Sequence, residues 1–583
     1  MKNKTGIALG LALLAAVVVA FLPALEAGFI WNDDSYVTEN PTLDGLAGLK
    51  RIWTDPAANE QYYPLVFSTY WIEKRLWGLH PFGYHLVNIL MHAGAALLLW
   101  RFLRRLGLPA AWFAAAVFAL HPLCVESVAW ITELKNTLSL VLVLASAHAW
   151  LSWRAAVEAQ DTSPPSKRRR KLAGGLPAER RPGPLWAVAL VLFTLALLAK
   201  TTASVLPAVF LVILWWQRGR LRWPDVRPML PFFVIGAGLG LHTAWLERTM
   251  VRATGNDWAL GLADRFVLAG QVTVFYAGKV LWPVGLAFIY PRWTVDAGHA
   301  RQWIPAAVAG AALLAAWFLS RRGRRGPLAG LLLFGGVLFP AMGFFNVYAM
   351  RYSWVADHFA YQSVAVAVAC VVCGVSSALE GLRPSWRRSV AAAGAAGLLG
   401  LGALTFHQAR AYETQEALWR DTLAKNPECF ICHTNYARDL IQAGRTDEAV
   451  MHLEKSLKIK PDAVPTLINL ARVEEERGLF EEAASHLKSA LAVDARDGEV
   501  RVHLATVYSK GGRLDDAIRE YREALRTPSQ EDFLAHNGLG VALVRTGSPV
   551  EGVEHLRECV RLRPDYAPCR ANLEAVLAAA GGR

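Results

Sequence analysis

The sequence predicts an all-α protein in two parts: a polytopic bundle of about eleven transmembrane helices over residues 1–410, then an α-solenoid over 411–583. Three observations predict it. Apolar runs close to the ~20 residues that cross a bilayer recur as far as residue 410, separated by short Arg/Lys clusters. Beyond that point the runs stop and a 34-residue period takes over. A mean hydropathy of +0.26, with 54% hydrophobic residues, is too apolar for a soluble chain.

The apolar runs lie at 6–26, 85–104, 109–121, 135–153, 185–199, 203–217, 229–246, 301–319, 327–345, 359–378 and 389–406. Several are shorter than a bilayer is thick, so flanking residues extend them or neighbouring helices bury them. The first follows Lys2 and Lys4; its length, and the poor cleavage site at Leu25-Glu26-Ala27, predict a retained anchor rather than a removed signal. Further basic clusters fall at Arg101/Arg104/Arg105, Lys167–Lys171 with Arg180/Arg181, Arg218/Arg220/Arg222, Arg321–Arg325 and Arg383/Arg387/Arg388. Each sits in a loop that alternates correctly to be cytoplasmic. The net charge of +13 is therefore spent on membrane topology, which excludes nucleic acid as the partner. Eleven spans from a cytoplasmic N-terminus put the solenoid outside. The stretch 264–300, broken by Lys279 and Pro283, must begin and end outside if Arg321–Arg325 is to stay inside. It reads as interfacial or re-entrant.

In the second part Gly444, Gly478 and Gly512 are 34 residues apart and Gly547 follows one late; Asn435, Asn469, His503 and Asn537 keep the interval, as do Ala449, Ala483 and Ala517. This is the tetratricopeptide pattern of helix pairs, with units at about 428–461, 462–495, 496–529 and 530–564 and a capping helix at 565–580. Such an array forms a concave groove for an extended peptide or partner protein and does no chemistry. A purely structural spacer is the plainer alternative. Cys124, Cys370 and Cys373 lie in or beside spans and read as packing; Cys429, Cys432, Cys559 and Cys569 lie in the outer arm, where disulfides form. Cys429-Phe430-Ile431-Cys432-His433 matches the c-type haem attachment signature. The register argues against haem, because His433 precedes Asn435 as Leu467 precedes Asn469, on a face that packs against its neighbour.

Candidate chemistry begins with Asp33-Asp34, just past the first span, flanked by the interfacial aromatics Trp31 and Tyr36. One carboxylate could act as general base while the other orients it or helps hold a cation. The bland reading is a solvated loop acid or a helix N-cap. A second cluster runs His121-Pro122-Leu123-Cys124-Val125-Glu126, then Glu133, Lys135 and Asn136. Glu126 and Glu133 are seven apart, which predicts a shared helix face. Lys200, Lys279, Arg351, Asp357 and His358 fall at outer span ends or in the 264–300 stretch. Taken singly each is an interfacial anchor or half of a structural ion pair. Together they collect acids and bases at one membrane level, and ionisable groups there usually face a bundle interior or cavity. A Lys/Arg set suits a lipid phosphate.

Asp33-Asp34 with Tyr36-Val37 and Asn40-Pro41 is similar to the first outer loop of the transmembrane-and-tetratricopeptide-repeat O-mannosyltransferase-like family, within the GT-C glycosyltransferase superfamily. The phrases HPLCVESVAWITELKNTLSL at 121–140, LLAKTTASVLP at 197–207, YAGKVLWPVGLAFIY at 276–290 and RYSWVADHFAYQS at 351–363 resemble it too, and the terminal repeats complete the match. The resemblance implies an inverting membrane transferase that moves a sugar, mannose or another hexose, from a polyprenyl-phosphate to an acceptor hydroxyl, typically Ser or Thr of a protein. It implies that the outer-loop acid is the base. Counted back from Asn40-Pro41, the family's pair falls on Asn32-Asp33 unless one residue is gapped, so Asp33 ranks first as base and Asp34 second. Lys200, Lys279 and Arg351, with Lys135 less favoured, are the implied phosphate cations; His121, Glu126, Asp357 and His358 are supporting residues. The sugar leaves from a lipid phosphate, so no metal or other cofactor is required. The implied partners are the donor lipid, the membrane and an acceptor held by the repeats. The Ala- and Arg-rich composition points to a bacterial inner membrane with a periplasmic arm. The rival expectation is a non-catalytic scaffold whose spans anchor the repeats.

Overall fold

The computed structural model of the chain describes residues 2–161, 183–250, 255, 258–380, 383–526 and 532–581; the basic cluster expected at Lys167–Lys171 with Arg180 and Arg181 lies outside them. Among the described residues there is helix and no strand. The chain divides into two compact units, Met1–Asn426 and Pro427–Arg583.

In the first unit every expected apolar run falls on a helix. Among the described residues six are long and apolar enough to cross a membrane: Pro81–Arg105, Ile131–Ala159, Trp223–Thr249, Ala300–Arg321, Asp357–Ala378 and Arg388–Tyr412. Ala111–Ala119 and Pro122–Ala129, bent by 57°, make a seventh if taken as one broken span. Lys4–Ala20, Gly183–Ala199 and Gly326–Ala341 are apolar but shorter. The run at 203–217 becomes Leu206–Arg218, 13 residues stopped by Gly219 at φ 77°. At 1.5 Å per residue that is only about 20 Å long. About eleven spans therefore requires the short helices to cross as well. The apolar run in sequence outlasts the helix because 3₁₀ turns and prolines cut it.

The bend at Pro122 has a chemical cost that the neighbours absorb. Proline brings no N–H, so carbonyls of the preceding turn lose their helical donors. Side chains replace them: Cys124 Sγ lies 3.6 Å from the Phe118 carbonyl, His92 Nε2 3.0 Å from that of Ala119, and Thr405 Oγ1 2.8 Å from that of Leu120. Elsewhere Ser146 Oγ donates to the Ala189 carbonyl (2.7 Å), and Trp150 stacks on Phe210 at 4.2 Å. Polar side chains bridging helices and tightly packed rings are how helices associate where water supplies no drive.

The 264–300 stretch opens with the helix Leu262–Leu281. Asp264 accepts from the Ala297 amide (2.8 Å) and Arg265 donates to Asn346 Oδ1 (2.9 Å); further along, Tyr276 donates to the Ala356 carbonyl (2.7 Å) and His121 Nε2 to that of Val280 (3.0 Å). All four partners flank helix ends on one side of the bundle. The helix thus packs along that one side of the bundle.

The loop after the first helix is itself folded. Tyr36, Val37, Leu43 and Ile52 pack with Val66, Phe67 and Tyr70 of the helix Pro64–Trp77, and Tyr70 donates to the Ile131 carbonyl (2.7 Å). Asn40 caps the turn that follows it, accepting from the Thr42 amide at 2.9 Å, which gives the Asn40-Pro41 pair a structural role.

In the second unit four helix pairs run from Phe430–Gln442 to Pro549–Leu562, and Ala567–Gly581 closes the array. Gly444, Gly478, Gly512 and Gly547 have φ of 75–90°, the left-handed position where glycine ends a helix without Cβ strain. Ala471, Ala483, Leu487, Leu504, Ala505 and Ala517 form a continuous core between repeats.

Candidate functional site

The acid pair sits on a strained turn. Trp31, with φ at 49°, is one of two non-glycine residues with positive φ among those described. Such strain is held by surrounding structure and clusters at functional sites. Its ring lies against Phe288 (5.5 Å) and Trp419 (4.9 Å). Asp33, which the sequence ranked first, points inward and is fully buried. Its Oδ2 accepts from the Ile30 amide (2.9 Å); its Oδ1 accepts from the Thr132 amide (2.9 Å) and hydroxyl (2.6 Å). Burial pushes its carboxyl up to about 7 against the pull of those three donors. Asp34 is half-buried and begins a short π turn over Asp34–Thr38, taking the Ser35 amide at 2.7 Å.

Thr132 leads directly into a buried ionic cluster. Glu133 is its hub: Lys135 Nζ is 2.9 Å away, Lys200 Nζ 3.7 Å, His358 Nε2 3.9 Å and Asn136 Nδ2 2.6 Å. Lys200 also donates to Asn136 Oδ1 (2.7 Å), and burial draws its ammonium down to about 8 against the opposing charge of Glu133. Lys135 lies over the Tyr36 ring at 5.3 Å, so the loop bearing Tyr36 closes this side. Glu126 takes both the backbone amide and Nδ1 of His358 at 2.8 Å, capping the helix that starts at Asp357. Asp357 accepts from the Tyr290 hydroxyl (2.7 Å).

The expected shared face for Glu126 and Glu133 is corrected. The helix Val125–Ala129 stops, Trp130 is extended (φ −91°, ψ 120°), and a 3₁₀ turn Ile131–Glu133 follows. The two carboxylates still converge, but through His358 rather than through helical periodicity. His121 is a pin: its Nδ1 accepts from the Leu123 amide and its Nε2 holds Val280. Lys279 donates to the carbonyls of Val284 (2.7 Å) and Gly285 (3.0 Å) and lies over the Phe275 and Tyr290 rings at about 5.5 Å, with Asp357 within electrostatic reach beyond Tyr290. Arg351 ends the turn Tyr348–Arg351, half-buried. Among the described residues no group of three or more His, Cys, Asp or Glu is placed to hold a metal.

Sequence reasoning passed over Glu133 as a hub, along with Thr132, Tyr290 and the chain Tyr36–Gln61–Glu247, in which Tyr36 donates to Gln61 (2.9 Å) and Gln61 to Glu247 (3.3 Å). The single available signal was a carboxylate between two lysine-bearing segments. In the repeats Cys429 is bonded to Cys432 and Cys559 to Cys569, while His433 is engaged by His452 and the Pro427 carbonyl. The sulfurs of the haem-like signature thus hold each other.

A family model for the tetratricopeptide repeat matches residues 436–500, 468–531 and 502–567. Over 150 residues the chain is 27% identical to protein O-mannosyl-transferase F38B6.6 of Caenorhabditis elegans, covering 23% of this chain and 22% of that one. Over 167 residues it is 32% identical to protein O-mannosyl-transferase Tmtc1 of Drosophila melanogaster, covering 26% and 18%. The chain thus spans about a fifth of the length of the curated relatives it matches. A solved structure of Pseudomonas aeruginosa pilF aligns over 27% of this chain and 71% of its own, at 21% identity and a TM-score of 0.26.

Proposed function

We propose that this chain, whose relatives are protein O-mannosyl-transferases of the transmembrane-and-repeat type, is a multi-pass membrane glycosyltransferase that acts on protein. Its donor in this reading is a polyprenyl-phosphate sugar and its acceptor a Ser or Thr hydroxyl presented by the repeat arm. One observation carries the reading: the strained acid turn packs, through Trp31 on Phe288, against the same 284–290 turn whose carbonyls Lys279 holds. Acid and cation therefore share one wall on one side of the bundle.

The two aspartates divide the work. Asp33, buried and triply bonded, is the positioning residue; it fastens the turn to Thr132. Asp34, half-buried with one amide donor, is the member able to receive a proton. The acceptor oxygen attacks the anomeric carbon as Asp34 takes its proton. The bond from that carbon to the phosphate oxygen breaks, and the polyprenyl phosphate leaves with the electron pair. Attack opposite the leaving group inverts the centre. Lys135 and Lys200 are already paired with Glu133, whereas Lys279 is bonded to neutral carbonyls, so its charge suits the departing phosphate best. The reading places the protein in a bacterial inner membrane, N-terminus inside, with the acid loop and repeats periplasmic.

The test incubates membranes containing the chain with radiolabelled polyprenyl-phosphate mannose and follows label on envelope proteins. Wild type transfers label; Asp34→Asn abolishes transfer at unchanged membrane level, and Lys279→Ala raises the donor KM. Transfer by Asp34→Asn equal to wild type would leave the scaffold role, which the repeats alone support.

A further inference from the structure

From Trp282 to Tyr290 the backbone runs without helix or strand, so its carbonyls have no partner in a helix or ladder. Side chains supply the donors. Lys279 serves the carbonyls of Val284 and Gly285. Lys425 Nζ donates to that of Leu286 (2.6 Å), and Asn426 Nδ2 to that of Ile289 (3.1 Å). These last two donors lie 137 to 139 residues further along the chain, at the end of the helix Gln415–Lys425. Asp421, one turn back, accepts from Lys425 at 2.7 Å and fixes the direction of its ammonium.

The same segment holds the acid turn. Just before the helix, the Glu413 carbonyl accepts from the Gly28 amide (3.0 Å), where the chain enters that turn. Midway along it Trp419 is fully buried, its ring 4.9 Å from that of Trp31 and 6.1 Å from that of Phe288. Trp31 is the residue with φ at 49°, a conformation that a bulky side chain keeps only under constraint. Thr414 caps the helix by accepting from the Ala417 amide (3.1 Å), so one ordered element carries all these contacts. A segment that merely anchored the repeats would need apolar burial alone. It would have no use for two donors aimed at the carbonyls of a single turn.

We propose that Glu413–Asn426 is a strap that keeps the acid turn and the 284–290 turn in register, with Trp419, Lys425 and Asn426 as positioning residues. Trp419 acts on Asp34 through Trp31, three residues before it: the ring that holds Trp31 in its strained conformation decides where the carboxylate points. Lys425 and Asn426 hold the other turn. The two turns therefore move together, and freeing one frees the other. Pro427, the next residue, opens the repeat unit, so the strap is also the tether of the array. Its effect on sugar transfer rests on the proposed function; the coupling of the two turns does not.

The experiment follows hydrogen exchange in the full chain in nanodiscs, over 284–290 and over 28–38. Lys425→Met keeps the side-chain stem and removes the donor. It is expected to speed exchange about tenfold at 284–290 and also at 28–38, where Lys425 makes no hydrogen bond, with 64–77 unchanged as the control for folding. Trp419→Ala produces the same pattern from the other turn, and Trp419→Phe, which keeps a ring there, restores protection. In the transfer assay Lys425→Met and Trp419→Ala lower kcat by about a hundredfold, the scale of a small misplacement of a reacting group, and Trp419→Phe recovers most of it. If Trp419→Ala does not fold, Lys425→Met and Trp419→Phe decide the matter. Loosening confined to 284–290 in Lys425→Met, or transfer by that variant at the wild-type kcat, would overturn the strap and leave the transferase. Coupled loosening in a protein whose wild type transfers no label would keep the strap and remove the transferase.

Discussion

Acidification should loosen the first repeat of the solenoid well before the rest of the protein unfolds. His433 Nδ1 lies 2.7 Å from His452 Nδ1, and the fourth repeat copies the arrangement with His536 and His555 at 2.8 Å. In the third repeat the same interval carries the ion pair Arg501–Glu520. Each histidine contact places one proton between two ring nitrogens, so the pair is neutral. Burial holds His433 down to about 4, helped by His452 and Lys455 and opposed by the Pro427 carbonyl; His452 is lowered by burial and Lys455 against Glu448. The folded value lies below the unfolded 6.5, so the unfolded repeat binds protons more readily between those pH values. The stabilisation is complete above pH 6.5 and lost as pH falls toward 4. The gap between 6.5 and about 4 sets a ceiling of ~3 kcal/mol, and partial screening by water brings the expected loss to about 1–2 kcal/mol. The second pair faces Glu551, Glu554, Glu558 and Asp532 as well as Arg522 and Arg561, so it should open later. Hydrogen exchange on the full chain, corrected for the intrinsic pH dependence, reads this directly: protection over 430–459 should drop about tenfold between pH 7 and 5. In His433→Phe most of the drop should vanish. Unchanged protection across that range in wild type, or the same drop in the variant, would refute the reasoning.

Two further outcomes follow from packing and burial. Asp33 has its folded value raised to about 7, so its contribution is full below pH 4 and lost as pH rises through 7; the turn at 30–36 should be more resistant to proteolysis at pH 5 than at pH 8, and Asp33→Asn should flatten that difference. Gly270→Ala would put a Cβ 2.5 Å from the Ala306 backbone, which no rotamer relieves; thermal unfolding in detergent should show a loss of about 1–3 kcal/mol, while Gly278→Ala, with nothing within 4 Å, should be near neutral.

The repeats were legible because their signal is redundant. Gly444, Gly478 and Gly512 each fix a left-handed turn at the same interval, so four helix pairs could be placed from sequence. Each apolar run likewise marked a helix, but not its length, since Gly219 and the 3₁₀ turns act locally where hydropathy averages over a window; the less apolar helices Gly45–Thr54 and Pro64–Trp77 gave no such run. Within the candidate site, charge near the span ends drew attention to Glu126, Lys135, Lys200 and His358, which the fold brings into one cluster. The hub role of Glu133 stayed hidden because it depends on contacts between residues far apart in the chain, and the helix that should have linked it to Glu126 breaks at Trp130. Asp33 was visible as an acid; that it faces inward is decided by Thr132, ninety-nine residues away.

The kink at Pro122 reaches further than its own segment. Carbonyls bared there would be wetted in a soluble protein; in lipid they must be shared among adjoining segments, and each such bond fixes a neighbour's rotational phase. Thr405 is one of those donors, and it lies about three turns beyond Gly394 on the same stripe of its helix. Satisfying a single oxygen at the elbow thereby helps clock Gly394 toward the Phe113 ring, where any Cβ would stand only 3.1 Å away.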